Sequence, residues 1–471
     1  MPLDASEQNQ LIVILTLAVV LFIIASALPQ RIGASLLLLL APYQAIETRF
    51  GTSSVVLAYV VFIALILKTR HVQLPLLPYF LFLTLWSMVS MGMMAPSTYV
   101  QHGAFIFALI SAFLVFWLTF DLTNRLGHPS RTLLIFIVSN VVIACYCAVQ
   151  MSMGPGERLI LFGISEMSLT RVRADGRLMG PFESAEITAQ YFVLAQFLLL
   201  HQFWYTKPGI WRRGIVLLAA VNLGFLVATG SRGEFLLLIG GAGVYLWLFR
   251  QRLGLMRAAA LAASGAIALA VTALLVINLT QFGGLFDRLA NTEFNEQGIP
   301  DTRQKLWPQA WNEIEKSPII GHGPRLRFHL EDRGVRYEGH VYIQYPHNQY
   351  LALLFTIGVP GLILYMLILF RVVFRCSKTM TNGRAPPYHQ DLARTGVLII
   401  FLFIIDGAKI EQMRLDFSDY WHFFFGLLGL LIAVCAQAEQ SSAQSAEAIV
   451  DRPTDLLTQA QIARSAIRRG S

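Results

Sequence analysis

Charge is what this sequence has least of. Only 14% of its 471 residues are Asp, Glu, Lys or Arg, where a soluble domain carries about a quarter. Mean hydropathy is +0.58, and 55% of the residues are hydrophobic. That balance excludes a soluble enzyme, a disordered chain and a nucleic-acid-binding protein, and leaves a polytopic membrane protein. Cysteine is scarce too. Cys145, Cys147, Cys376 and Cys435 are too few for a disulfide framework and read as apolar filler. A Walker A loop, a paired-glycine nucleotide loop and an aspartate-rich metal motif are all missing, so neither a nucleotide cofactor nor a metal is expected. No internal repeat is visible, which argues against transporters built from inverted repeats.

What is present is a series of long apolar runs. Twelve or thirteen of them, from 11–28 to 420–437, approach the length of a transmembrane helix, which is about 20 residues. The runs at 33–47 and 233–249 are short, and the former ends in Glu47 and Arg49, as a re-entrant segment would. Stretches such as Leu36–Leu40 do not alternate with period two, so an outer-membrane barrel is excluded. The first run has no basic region before it and no small-residue cleavage site after it, so it reads as a span and not a signal peptide. The expected fold is all-α and polytopic, with N-terminal helices over 1–151, a second membrane region over 152–437 and a weakly helical or disordered tail over 438–471.

The net charge of +8 comes from short loops. One set, from Arg31 through Arg125, Arg212, Arg252 and the 371–394 hairpin to the tail, holds 20 Lys and Arg, while Met1–Gln10 and 94–102 hold none. By the positive-inside rule that set is cytoplasmic, which places the N-terminus, 152–183 and the large loop 279–347 on the outer face. The large loop carries eight cations and nine carboxylates. Any anion site there must consist of a few placed arginines.

Four segments on that outer face carry residues suited to chemistry. His347-Asn348 stands where the chain re-enters the membrane after Tyr345-Pro346, with Gly358 and Gly361 following. Histidine has a pKa suited to a general base, and the pair can orient a hydroxyl; the same residues also read as an interfacial histidine and a helix N-cap. Ser231-Arg232-Gly233-Glu234 is a tight link between two spans. An arginine near bilayer depth has a partner or a task, and a planar guanidinium can grip a diphosphate through two N–H groups; a turn contact between Arg232 and Glu234 is the plainer alternative. Arg177 and Glu183 precede another span and would face the same vestibule. Finally, Arg303 precedes a segment in which Trp307, Trp311 and Ile314 are spaced to share a helix face, either over the site or as an interfacial anchor.

The pattern His347-Asn348, nine residues, Gly358-x-x-Gly361 resembles the signature of bacterial O-antigen ligases and the related lipid-linked polysaccharide polymerases. Arg232 with Leu236 resembles that family's Arg-x-x-x-Leu element, Arg303 through Trp307, Trp311 and Pro318 to Gly321-x-Gly323 its approach to the histidine, and Arg177 with Gly180 an earlier arginine element. The resemblance covers about 170–365. It implies a GT-C-like helical fold in the bacterial inner membrane and a metal-free transfer of glycan from undecaprenyl diphosphate on the periplasmic face. Arg232, Arg177 and Arg303 would hold the diphosphate, and His347 would orient or deprotonate the acceptor, a lipid A–core hydroxyl in a ligase or a second lipid-linked glycan in a polymerase. The family implies an even span count and an inward N-terminus, a departure from the outward one that the charges indicate. A transporter or flippase of the same lipid is the alternative class; it would need charges along mid-span faces, whereas His201, Asp121 and Asp406 lie toward span ends.

Overall fold

The computed structural model describes residues 19–20, 23, 30–40, 47–48, 51–68, 73–92, 99–153, 158–160, 168–171, 177–279, 303, 306–323, 336–337, 340–341, 346–413 and 418–450. The expected first span, 11–28, lies almost wholly outside them, as does most of the loop 279–347.

The chain is an all-α polytopic membrane protein. Helices α1 (Gln30–Leu40), α2 (Ser53–Lys68), α3 (Leu77–Met91), α4 (Tyr99–Leu126) and α5 (Pro129–Met151) are followed by α6 (Ala185–Tyr205), α7 (Ile210–Ala228), α8 (Arg232–Leu248) and α9 (Arg250–Leu279). Then come α10 (Leu306–Lys316), α11 (Gln349–Thr381), α12 (Pro387–Gly407) and α13 (Ser418–Val450). Three antiparallel hairpins of two to four residues per strand interrupt the described loops, at 47–52, 158–171 and 336–341. Among the described residues six helices, α4, α5, α7, α9, α11 and α13, hold stretches long and apolar enough to cross a membrane, fewer than the twelve or thirteen runs counted in the sequence. Some of the other runs form shorter apolar helices such as α2 and α3.

The apolar stretches of α4 and α13 are mostly buried inside the bundle, whereas those of α7 and α9 mostly are not. Phe80 stacks on Phe113 at 4.3 Å between α3 and α4. Helix α13 runs on into the expected tail, where Ser442 accepts a hydrogen bond from Asn382 at 2.9 Å.

The first glycine of the Gly358-x-x-Gly361 element bends the backbone. Gly358 interrupts α11 with φ 65°, and Pro360 stands within the same helix. Proline has no N–H to bond the carbonyl four residues earlier, and in an apolar medium each freed backbone group needs another partner. Ser90 donates to the Thr356 carbonyl at 2.6 Å and Trp86 to that of Ile357 at 2.8 Å. The turn after α10 supplies the rest: the His322 N–H donates to Phe355 at 2.7 Å, and the Val359 N–H to the Pro318 carbonyl at 2.9 Å. The two backbones cross so closely that a Cβ on Gly358 would overlap the Ile319 carbonyl, and one on Gly321 would meet the Thr356 oxygen at 2.6 Å.

The bundle has two distinct ends. At one, Asp391 pairs with Arg252 and, at 2.8 Å, with Arg394, and accepts from Tyr205 at 2.6 Å. This is the end of the cation-rich loops. The other end gathers the start of α6, the α7–α8 link, the start of α11 and the end of α12.

Candidate active site

The α7–α8 link is a hydrogen-bonded turn. Thr229 closes α7, Gly230 takes φ 63°, and Ser231 N-caps α8, leaving Arg232 in the first helical turn. The segment before α6 is stitched to it. Arg177 is buried, donating through Nε to the Thr229 carbonyl at 2.9 Å and through Nη2 to Glu186 at 2.7 Å. The Leu178 N–H reaches the Ala228 carbonyl at 3.1 Å. Two further N–H groups, of Met179 and Gly180, donate to the Gln150 side chain at 3.1 and 2.8 Å. The carboxylate that meets Arg177 is thus Glu186. Glu183 sits in the turn between them, at φ 53°.

Glu234 is fully buried, accepting from Ser231 and pairing with Lys409 Nζ at 2.5 Å. Lys409 lies just beyond α12 and also pairs with Asp406, 1% exposed, at 2.7 Å. Its own carbonyl accepts from Arg303 at 3.0 Å. Burial holds the Arg303 pKa below its ordinary value and Arg232 adds to this, while Glu234, Glu186 and Asp406 pull the other way. Arg232, Arg303 and three carboxylates therefore share one electrostatic neighbourhood.

His347 and Asn348 arrive from the large loop. Asn348 is the N-cap of α11: its Oδ1 accepts from the N–H groups of Tyr350 and Leu351 at 3.0 and 3.1 Å, and its Nδ2 donates to the Ala408 carbonyl at 3.1 Å. Both halves of the amide are therefore engaged by backbone, which orients the chain. His347 is held at φ 47°, with its side chain exposed and its N–H donating to Glu411 at 3.1 Å. It lies within electrostatic reach of Glu186.

Helix α10 docks beside this pair, and the face shared by Trp307, Trp311 and Ile314 divides: Ile314 is buried, Trp307 packs half-buried against the same cluster and Trp311 is exposed. The buried stripe is Leu306, Ala310 and Ile314, packed on Phe355. Trp307 is half-buried and donates to the Pro346 carbonyl at 2.8 Å, and Trp311 stays 50% exposed. The stripe is set by i, i+4 packing on α11, while the Trp307 N–H needs an acceptor and finds one at the loop end. His322 is taken up structurally, stacked 4.7 Å from Phe355 with Nε2 2.7 Å from the Glu313 carbonyl.

Of the residues singled out in the sequence, Arg177, Arg232, Glu234, Arg303, Trp307, His347 and Asn348 meet at this end, and Tyr345 lies outside the described residues. The sequence reading missed Glu186, Lys409 and Glu411. Lys409 and Glu411 follow a span with no recognisable spacing, and only the fold brings them to the site. Four cations (Arg177, Arg232, Arg303, Lys409) and four carboxylates (Glu186, Glu234, Asp406, Glu411) lie together here. Glu186 holds Arg177, and Glu234 and Asp406 hold Lys409, so the site is a mixed, preorganised field and not a basic funnel. Among the described residues no group of three His, Cys, Asp or Glu is disposed to hold a metal.

Residues 215–366 match the family model described as O-antigen ligase. The match spans α7 through the kink of α11 and includes Arg232, Glu234, Arg303, His347, Gly358 and Gly361. It places an O-antigen ligase-related domain within the chain, as the motifs suggested. No curated protein matches the chain.

Proposed function

From a multi-pass membrane protein with an O-antigen ligase domain, an enzyme class that transfers glycans in polysaccharide assembly, we propose a specific reaction. The protein moves a finished glycan from undecaprenyl diphosphate to a hydroxyl of a lipid A–core acceptor, on the periplasmic face of the bacterial inner membrane, without metal or cofactor. The observation that carries this reading is that Arg232, Arg303 and His347 converge at the end of the bundle opposite the cation-rich loops. The catalytic region is then 152–437, GT-C-like in character, with 279–347 as its periplasmic loop and 438–471 on the cytoplasmic side.

The acceptor oxygen attacks the anomeric carbon as the bond to the diphosphate breaks, with inversion. Its proton passes to the exposed imidazole of His347, held in line by Glu411 and by the Asn348 cap. The departing diphosphate carries away the electron pair, and its negative charge is met by Arg232 and Arg303, with Arg177 behind them. The donor is already activated, so position, charge stabilisation and a base suffice. Glu234 and Glu183 flank the arginine segments, while Trp307, Trp311 and Tyr345 would line the glycan path.

A polymerase of lipid-linked O-antigen or exopolysaccharide repeats would use the same groups. The deciding experiment is analysis of the lipid-linked glycans that accumulate when the gene is deleted. Long glycans on undecaprenyl diphosphate are expected; single unpolymerised repeats would overturn the ligase reading in favour of the polymerase. Purified protein incubated with lipid-linked glycan and lipid A–core should form the conjugate. Export of the intact lipid without transfer would instead identify a flippase.

A further inference from the structure

We propose that Lys409 is a positioning residue for this site, the ammonium that fastens the end of α12 to the start of α8 and so fixes where His347 stands relative to Arg232. The inference rests on the reading of His347 and Arg232 as the transfer groups. Lys409 itself lies beyond the 215–366 segment that matches the family.

Two buried carboxylates face each other from different helices. Glu234 is in the first turn of α8 and Asp406 in the last turn of α12, with 0% and 1% of their side chains exposed. Alone they would repel across a medium too poor in water to screen them. The Lys409 ammonium bridges them, at 2.5 Å to Glu234 and 2.7 Å to Asp406. Its stem lies along the backbone of α8, and a Cβ on Gly233 would overlap it. The glycine after Arg232 is therefore explained by the passage of this lysine.

The turn held in this way carries the rest of the site. Ala408 and Lys409 offer their carbonyls to Asn348 at 3.1 Å and to Arg303 at 3.0 Å. Glu411 accepts from the His347 N–H at 3.1 Å, and Tyr350 donates to the Ile404 carbonyl. Three residues of the family-like motifs thus hang from a five-residue stretch (406–410) and its neighbour Glu411, anchored to the fourth, Arg232, through the Lys409–Glu234 pair. If the ammonium is lost, the carboxylates separate and the turn moves with them. A displacement of about 1 Å at reacting groups costs on the order of 10²-fold in rate.

The test compares Lys409→Met, Glu234→Gln and the double variant Glu234→Gln/Lys409→Met with wild type in purified, full-length protein. Two readouts are taken: glycan transfer from undecaprenyl-diphosphate glycan, split into kcat and KM, and the rate at which diethylpyrocarbonate modifies His347, followed by peptide mass spectrometry. Lys409→Met is expected to lower kcat on the order of 10²-fold, with a several-fold change in His347 labelling. The double variant, relieved of the repulsion, should regain about tenfold of that loss and return labelling toward wild type. Should Lys409→Met fail to fold, Glu234→Gln decides: it keeps a neutral Lys409–Asp406 pair but reduces the cross-helix ion pair to a hydrogen bond to a neutral amide oxygen, so kcat should fall several-fold and labelling shift. Wild-type kcat and labelling in Glu234→Gln or in Lys409→Met, or a folded double variant no better than Lys409→Met, would overturn the proposal. If wild type transfers no glycan, the transfer reading fails, while the labelling still judges the positioning role.

Discussion

The N–H of His347 donates to the carboxylate of Glu411 at 3.1 Å, and this bond holds a non-glycine residue at φ 47°. A left-handed backbone is costly for a residue with a Cβ. It persists here because Glu411 on one side and the Asn348 cap on the other determine the path of the chain. The imidazole is thereby turned outward at the mouth of α11. Glu411→Ala should let residue 347 relax toward ordinary φ. A loss of transfer on the order of 10²-fold is expected, with Glu411→Gln retaining more because its amide oxygen still accepts. Equal activity of Glu411→Ala and wild type in purified protein would show that the bond is idle.

His347→Ala should abolish transfer while the protein still inserts and still binds lipid-linked donor. Removing a general base costs about 10²–10⁴-fold. Donor binding and turnover measured side by side separate this outcome from misfolding. Transfer near the wild-type rate would make the histidine merely interfacial.

Arg232→Ala should weaken donor binding and turnover together, because a cation facing a diphosphate stabilises ground and transition states alike. Arg232→Lys should recover only part of both, since an ammonium keeps the charge and loses the planar fork. Full activity of the lysine variant would argue for a simple point charge at this position.

Gly358→Ala should destabilise the protein. With φ 65° and ψ −173° the backbone lies in a region that is essentially glycine-only, which costs a residue with a Cβ on the order of 1–3 kcal/mol, and the Ile319 carbonyl occupies the space the methyl needs. A lower thermal midpoint in detergent is expected, along with reduced transfer, because the turn at 317–323 that receives α11 must shift. An unchanged midpoint would show that the crossing is looser than described.

Single cysteines test sidedness. Introduced at position 384 between α11 and α12, a cysteine should resist a membrane-impermeant maleimide in intact spheroplasts, whereas one at the exposed Trp311 should react. The reverse pattern would invert the proposed topology and with it the periplasmic reaction.

Hydropathy alone determined that this is a helical membrane protein, because about 20 apolar residues in a row admit few other folds. The short-loop cations marked one end of the bundle, and Arg232, Arg303 and His347 stood out as the residue types that a diphosphate and a hydroxyl would require. Tertiary structure decided the rest. By spacing Trp307, Trp311 and Ile314 share a face of α10, yet Ile314 is buried with Leu306 and Ala310 against Phe355, Trp307 packs beside them and Trp311 stays exposed; which residues are buried depends on the neighbour and not on period. Glu183 was the nearest carboxylate in sequence to attract notice, but Glu186, in the first turn of α6, is the one that reaches Arg177. Lys409 and Glu411 carried no signal at all, since an ion pair forms through space and leaves no spacing in the chain. Their place beside Glu234 and His347 comes only from the packing of α12 against α8 and α11.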